Sequence, residues 1–148
     1  MARYSAGWRT GGAGSTTVPV ASIYGISGKG GRIREVSAFN TTTTACAIAL
    51  RKFTSAGTPG TGQTELPHDD AAWMSAADCT CFDTHSAGPT ITAGNLRVAS
   101  LGAAIGSGII WTFGDNGIVI PAGTANGIGI VVLTGTGQIL DVDFTWDE

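Results

Sequence analysis

Four residues with metal-ligand or acid–base chemistry alternate near the middle of the chain: Cys79, Cys81, Asp83 and His85. If residues 79–85 form one straight strand, the period of two puts all four side chains on one face. Thiolate, imidazole and carboxylate together suit zinc. Alternate side chains on a strand stand about 6–7 Å apart, however, too far for all four to close round one tetrahedral ion without a bend. Buried thiols and a hydrogen-bonded histidine are the expected state, and neither a metal nor a cofactor is expected.

Other reactive patterns fail on spacing. Glycoside hydrolysis needs two carboxylates facing across a cleft, and Asp69-Asp70 and Asp141/Asp143 match by residue type alone. Gly106-Ser107-Gly108 lacks the spacing of a nucleophile elbow. The stretch Ile23 to Gly30 has Ile where a phosphate loop has its first glycine and Gly where it needs a hydroxyl, so it reads as a turn between strands. The histidines are His68 and His85, too few for a His-rich metal jelly roll. Asn40-Thr41-Thr42 matches a glycosylation sequon, which without an export leader reads as coincidence. The chain is expected not to be an enzyme.

The elements that would position these residues are strands. Val18–Ile26, Arg32–Phe39, Ala45–Phe53, Cys79–Thr84 and Leu96–Leu101 carry apolar runs bounded by Gly, Pro, Ser and Thr. In the third, Cys46, Ile48 and Leu50 share one face and Ala45, Ala47 and Ala49 the other, which marks a central strand. Ile109–Phe113 and Ile118–Ile120 flank Gly114-Asp115-Asn116-Gly117, where Asn-Gly predicts a tight hairpin. Ile128–Leu133 and Ile139–Trp146 flank Gly135-Thr136-Gly137, a second short turn. Leu140, Val142, Phe144 and Trp146 alternate with Ile139, Asp141, Asp143 and Thr145, the signature of a half-buried strand. About eight short strands at this spacing predict an all-β fold, a jelly-roll-like β-sandwich.

One domain is expected over residues 18–148, preceded by an extended N-terminal arm over 1–17 and interrupted by one long loop from Thr54 to Ala77. The arm carries Arg3, Tyr4, Trp8 and Arg9, and the loop ends with Trp73 and Met74. These six are the expected protein-interface residues, because aromatic and arginine side chains anchor interfaces. A different reading makes Trp73, Tyr24 or Trp8 a stacking platform in a carbohydrate-binding module.

Composition narrows the partners. Charged residues make up 13% of the 148, with 8 basic and 11 acidic side chains and a net charge of −3, so the chain is not expected to track nucleic-acid phosphates. Twenty-three glycines and many Thr, Ala and Ser replace the missing charges, which leaves little repulsion against assembly. The weakly polar run from Leu101 to Gly114 is shorter than the roughly 20 residues of a membrane-spanning helix, and no membrane partner is expected. The first fifteen residues lack an apolar leader core. Synthesis and folding in a cytoplasm, with three reduced cysteines, are expected.

The string from Trp111 to Ile130, WTFGDNGIVIPAGTANGIGI, resembles small β-rich virion proteins of tailed bacteriophages, as do residues 1–9, MARYSAGWR, and residues 39–45, FNTTTTA. The resemblance implies a capsid decoration or cement protein, made in the host cytoplasm and carried on the virion. It implies a jelly-roll-like homo-oligomer, a trimer, on the outer surface of a head shell, in contact with the major capsid protein or other virion proteins. Neck and tail proteins of such phages share the same low charge and Gly/Thr-rich strands.

Overall fold

The computed structural model describes residues 1–69, 76–134 and 136–148. Among the described residues eleven strands run in chain order: β1 Arg3–Arg9, β2 Ala21–Gly25, β3 Gly31–Asn40, β4 Cys46–Phe53, β5 Leu66–Pro67, β6 Cys79–Phe82, β7 Arg97–Leu101, β8 Gly108–Thr112, β9 Ile118–Ile120, β10 Gly127–Thr134 and β11 Leu140–Asp147. All pairings are antiparallel and form two sheets. The first has the order β5-β1-β11-β3-β8, with β9 also on β3; the second has the order β6-β2-β10-β4-β7. Without the short β5, β9 and the added β6, the chain crosses repeatedly from one sheet to the other in jelly-roll order.

Alternation along β11 fixes the first sheet. Leu140, Val142, Phe144 and Trp146 are buried, and the register sets Tyr4 opposite Trp146 and Ala6 opposite Phe144. Tyr4 stacks on Trp146 and Trp8 on Phe144, each with ring centroids 6.0 Å apart. Such aromatic pairs add about 0.5–1.5 kcal/mol beyond the area they bury. From the second sheet, Ile23, Ile48, Leu50, Ile128, Ile130, Cys79 and Cys81 close the same core.

Three sequence expectations change here. Residues 3–9 are strand β1, paired along their whole length with β11, rather than part of a projecting arm. Tyr4, Ala6 and Trp8 form the inward face of that strand, and burying this face holds it in the sheet. The expected Asn-Gly hairpin does not form either. β8 and β9 lie end to end along the same side of β3, pairing with Glu35–Phe39 and with Gly31–Ile33. A type I′ hairpin needs Asn116 itself in the left-handed region, but among the described residues only glycines have positive φ. Arg32 and Arg34 instead hold the carbonyls of Gly114, Asp115 and Asn116, and the chain continues in its original direction. Finally, β2 and β3 lie in different sheets, as do β10 and β11, so neither connection closes a hairpin ladder.

A one-residue irregularity re-aims a charge. Thr145 pairs with Glu35 but Trp146 pairs with Ile33, so Arg34 is the extra residue of a bulge. Its Nε donates to Asp147 at 2.5 Å, and Arg3 donates to the same carboxylate at 2.7 Å.

Glycines in β10 let large rings lie flat on the sheet. A Cβ on Gly129 would sit 2.4 Å from the Ala21 carbonyl oxygen and 2.7 Å from the Phe53 ring. We expect Gly129→Ala to lower the unfolding free energy by about 1–3 kcal/mol, read as a lower denaturant midpoint at unchanged slope. An unchanged midpoint would contradict this packing.

Candidate functional site

The six residues expected at an interface separate in the structure. Tyr4 is a core side chain, and Trp8 is half-buried against Phe144. Arg3 and Arg9 lie on the exposed outer face of the first sheet. Arg3 grips Asp147 with two nitrogens, at 2.7 and 3.2 Å. Arg9 grips Asp141 in the same way, at 2.7 and 2.9 Å. Hydrogen bonding from Arg3, joined by Arg34, holds the Asp147 carboxyl below the usual range against its burial. Asp141 is lowered chiefly by its hydrogen bond with Arg9. Trp73 and Met74 lie outside the described residues, as does Trp73's place in a stacking platform. Tyr24, 2% exposed, and the inward-facing Trp8 do not form one.

The alternating cluster also separates. Cys79 and Cys81 point into the core between the sheets, but β6 ends at Phe82 and the chain turns. Asp83 accepts the backbone N–H groups of Gly11 and Thr84. His85 bonds Ser22, a neighbour of the core residue Ile23 on β2, and so lies over the opposite face of the second sheet. The four side chains therefore do not share a face. Among the described residues, no three His, Cys, Asp or Glu side chains gather round a common point. Asp141 and Asp143 project from one strand without a facing carboxylate; Asp143 accepts from the Ser37 hydroxyl at 2.8 Å. Asp69 is exposed, and Asp70 lies outside the described residues. The sequon asparagine, Asn40, is buried, with its amide N–H groups donated to the Thr44 and Gly102 carbonyls.

The unusual surface is an edge. On one side of the sandwich the free margins of β1 and β6 are covered by the chain itself. Gln63 donates to the Cys81 carbonyl and Asp83 to that of Thr61, the Glu65 carboxylate accepts the Cys81 N–H, and β5 pairs with β1. On the other side, β7 pairs only with β4 and β8 only with β3. No described segment covers their outer margins.

This bare edge is apolar. Val98, opposite Ala49, projects on the outer face of the second sheet, and Ile110, opposite Ser37, on that of the first. Ile105 stands on the connection between them. Their exposures are 52%, 54% and 73%. From Val98 to Gly114 there is no charged residue and no proline, so beyond Arg97 at the start of β7 the edge lacks the side chains that ordinarily block strand-to-strand pairing. The Arg97 guanidinium sits 5.1 Å from the centre of the Phe113 ring and bridges the two sheets at the margin of this strip. Sequence reasoning used the same uncharged run only to ask about membranes. Its position on two edge strands, which gives it meaning, required the topology.

Comparisons of the chain with protein-family models, with curated proteins and with solved structures give no match.

The three thiols are buried, and burial raises each of them above the ordinary thiol range. A disulfide reagent such as DTNB at pH 8 is expected to leave the native protein unmodified and to titrate three thiols after unfolding. Rapid reaction of the native protein would contradict the placement of Cys79 and Cys81 in the core.

Proposed function

We propose that this chain is a non-catalytic structural subunit that works by packing its bare β7/β8 edge against other protein subunits. The observation that carries the reading is the asymmetry between the two sides of the sandwich. One is closed by the chain's own segment 61–67, whereas the other exposes Val98 and Ile110 on strands with unpaired margins and Ile105 on their connection. An uncharged edge of this kind is a template for another strand or an apolar partner surface. The low charge of the whole chain supports association in the same direction.

The particle is proposed from the residues that resemble virion proteins: a decoration protein of a tailed bacteriophage, bound as an oligomer, a trimer, to the outer head surface. Of the resembling string, Trp111 and Thr112 lie on β8, where it meets the bare edge.

The test places a lysine at each exposed edge position, Val98→Lys with Ile110→Lys. Because both side chains are exposed, stability is expected to change by no more than about 0.5 kcal/mol each. Self-association, followed by light scattering after gel filtration, and binding to undecorated phage heads should both be lost. A wild-type chain that stays strictly monomeric and ignores such shells would overturn the proposal. So would a double variant that assembles as well as the wild type.

A further inference from the structure

The outer face of the second sheet carries a small core of its own, separate from the one between the sheets. Tyr24, Ala49, Phe53 and Val131 are buried there, with Ala56, Phe82, Ile91 and Leu133 packed beside them. Their cover is made of two loop segments, residues 54–62 and 85–96. The segments are tied to each other by Thr58 and Ala87 and to the sheet by the pairs Phe53–Ile91 and Gly62–Phe82. The Tyr24 hydroxyl donates to the Ser55 carbonyl at 3.2 Å. Contact is incomplete: a cavity of about 90 Å³ remains between Ala56 and Pro59 of the cover and Tyr24, Thr80 and Phe82 of the sheet. A cover tied by loop hydrogen bonds and isolated bridges rather than by a strand ladder opens at lower free energy than the sandwich unfolds.

His85 pins this cover. It is 4% exposed, its Nε2 lies 2.7 Å from Ser22 Oγ, and its ring centroid is 6.2 Å from Tyr24 and 6.4 Å from Phe53. Its Nδ1 is buried and makes no hydrogen bond of normal geometry, the Ala87 backbone being the polar group that acts on the ring. Among the described residues, no surrounding element offers a free carboxylate. On β2 the titratable neighbour is the Tyr24 phenol, and on β4 the charged residue of this face is Arg51, whose Nε is bonded to Asn95. Beyond β6, the Asp83 carboxylate is occupied by Gly11 and Thr84. β10 presents Gly127, Gly129 and Val131, and residues 54–62 and 86–96 contain no ionisable side chain. An imidazolium formed here would be buried among aromatic rings without a counter-charge.

We propose that residues 54–62 and 85–96 form an acid-released cover, in which protonation of His85 expels the ring from its bed and uncovers Tyr24, Phe53 and Phe82 while the sandwich stays folded. The sign follows from burial, which holds His85 below its ordinary value, with a smaller opposite effect from the Ala87 backbone. In the open form the ring titrates near its ordinary value, about 6.5. Above that pH both forms are neutral and the cover is fully held. As pH falls below it, the open form takes up a proton that the closed form refuses, and opening grows easier by up to about tenfold per pH unit until the lowered folded value is reached.

Hydrogen exchange followed by mass spectrometry, corrected for intrinsic rates, reads this directly in the intact protein. Between pH 7.5 and pH 5.5, peptides covering 54–62 and 85–96 should exchange about tenfold faster, with β10 and β11 unchanged. His85→Gln, which can still hydrogen-bond Ser22 but does not titrate, should show no acid response. The proposal is overturned if the wild-type cover ignores pH, if the glutamine variant keeps the response, or if the whole sandwich loses protection in step. Should the variant fail to fold, NMR titration of the wild-type histidines decides. A His85 ring that titrates at its ordinary value with the cover still protected would equally overturn the proposal.

Discussion

A two-sheet sandwich that does not close into a barrel must do something with four strand margins, and that constraint organises this molecule. Backbone N–H and C=O groups left without partners template further pairing. Here β1 and β6 are covered by residues 61–67, which cross from one sheet to the other and supply a two-residue strand, a side-chain carboxylate and backbone hydrogen bonds. The opposite pair, β7 and β8, has no such cover among the described residues, and its outward side chains include the exposed Val98 and Ile110 beside Ser100 and Thr112. The long loop after β4 thus serves two structural purposes, sealing one side of the sandwich and roofing the outer face of the second sheet.

The charges serve the same architecture. Asp147 joins β1 to the bulge in β3 through Arg3 and Arg34. The Glu148 side chain accepts the N–H groups of Asp78, Cys79 and the Trp146 indole, and its backbone exchanges two hydrogen bonds with Ala2. These residues anchor the ends of β1, β6 and β11 to one another at a single corner.

Much of the fold was legible in the sequence. The alternation in β11 and β4 predicted their buried faces correctly, and turn residues marked the strand boundaries. β1 escaped because its inward residues Tyr4, Ala6 and Trp8 include only two large side chains, and Gly7 and nearby glycines gave the segment the composition of a loose arm. Its period of two was present all the same. The Asn-Gly hairpin failed because local turn preference was overridden by β3, which holds β8 and β9 along one side, and by the two arginines that bind the turn's carbonyls. The grouping of Cys79, Cys81, Asp83 and His85 assumed a straight strand, and the turn after Phe82 divides it. The bare edge could not be read from residue types, because an uncharged run has the same composition in a buried strand as in an exposed one.

The central claim is that the β7/β8 margin is a contact surface. Amide protection measured across a dilution series of the purified protein tests it most directly. The account predicts that Arg97–Leu101 and Gly108–Thr112 gain protection as the chains associate, while β5 and β6 on the sealed side do not change. Association that protects the sealed side and leaves β7 and β8 exchanging freely would contradict it.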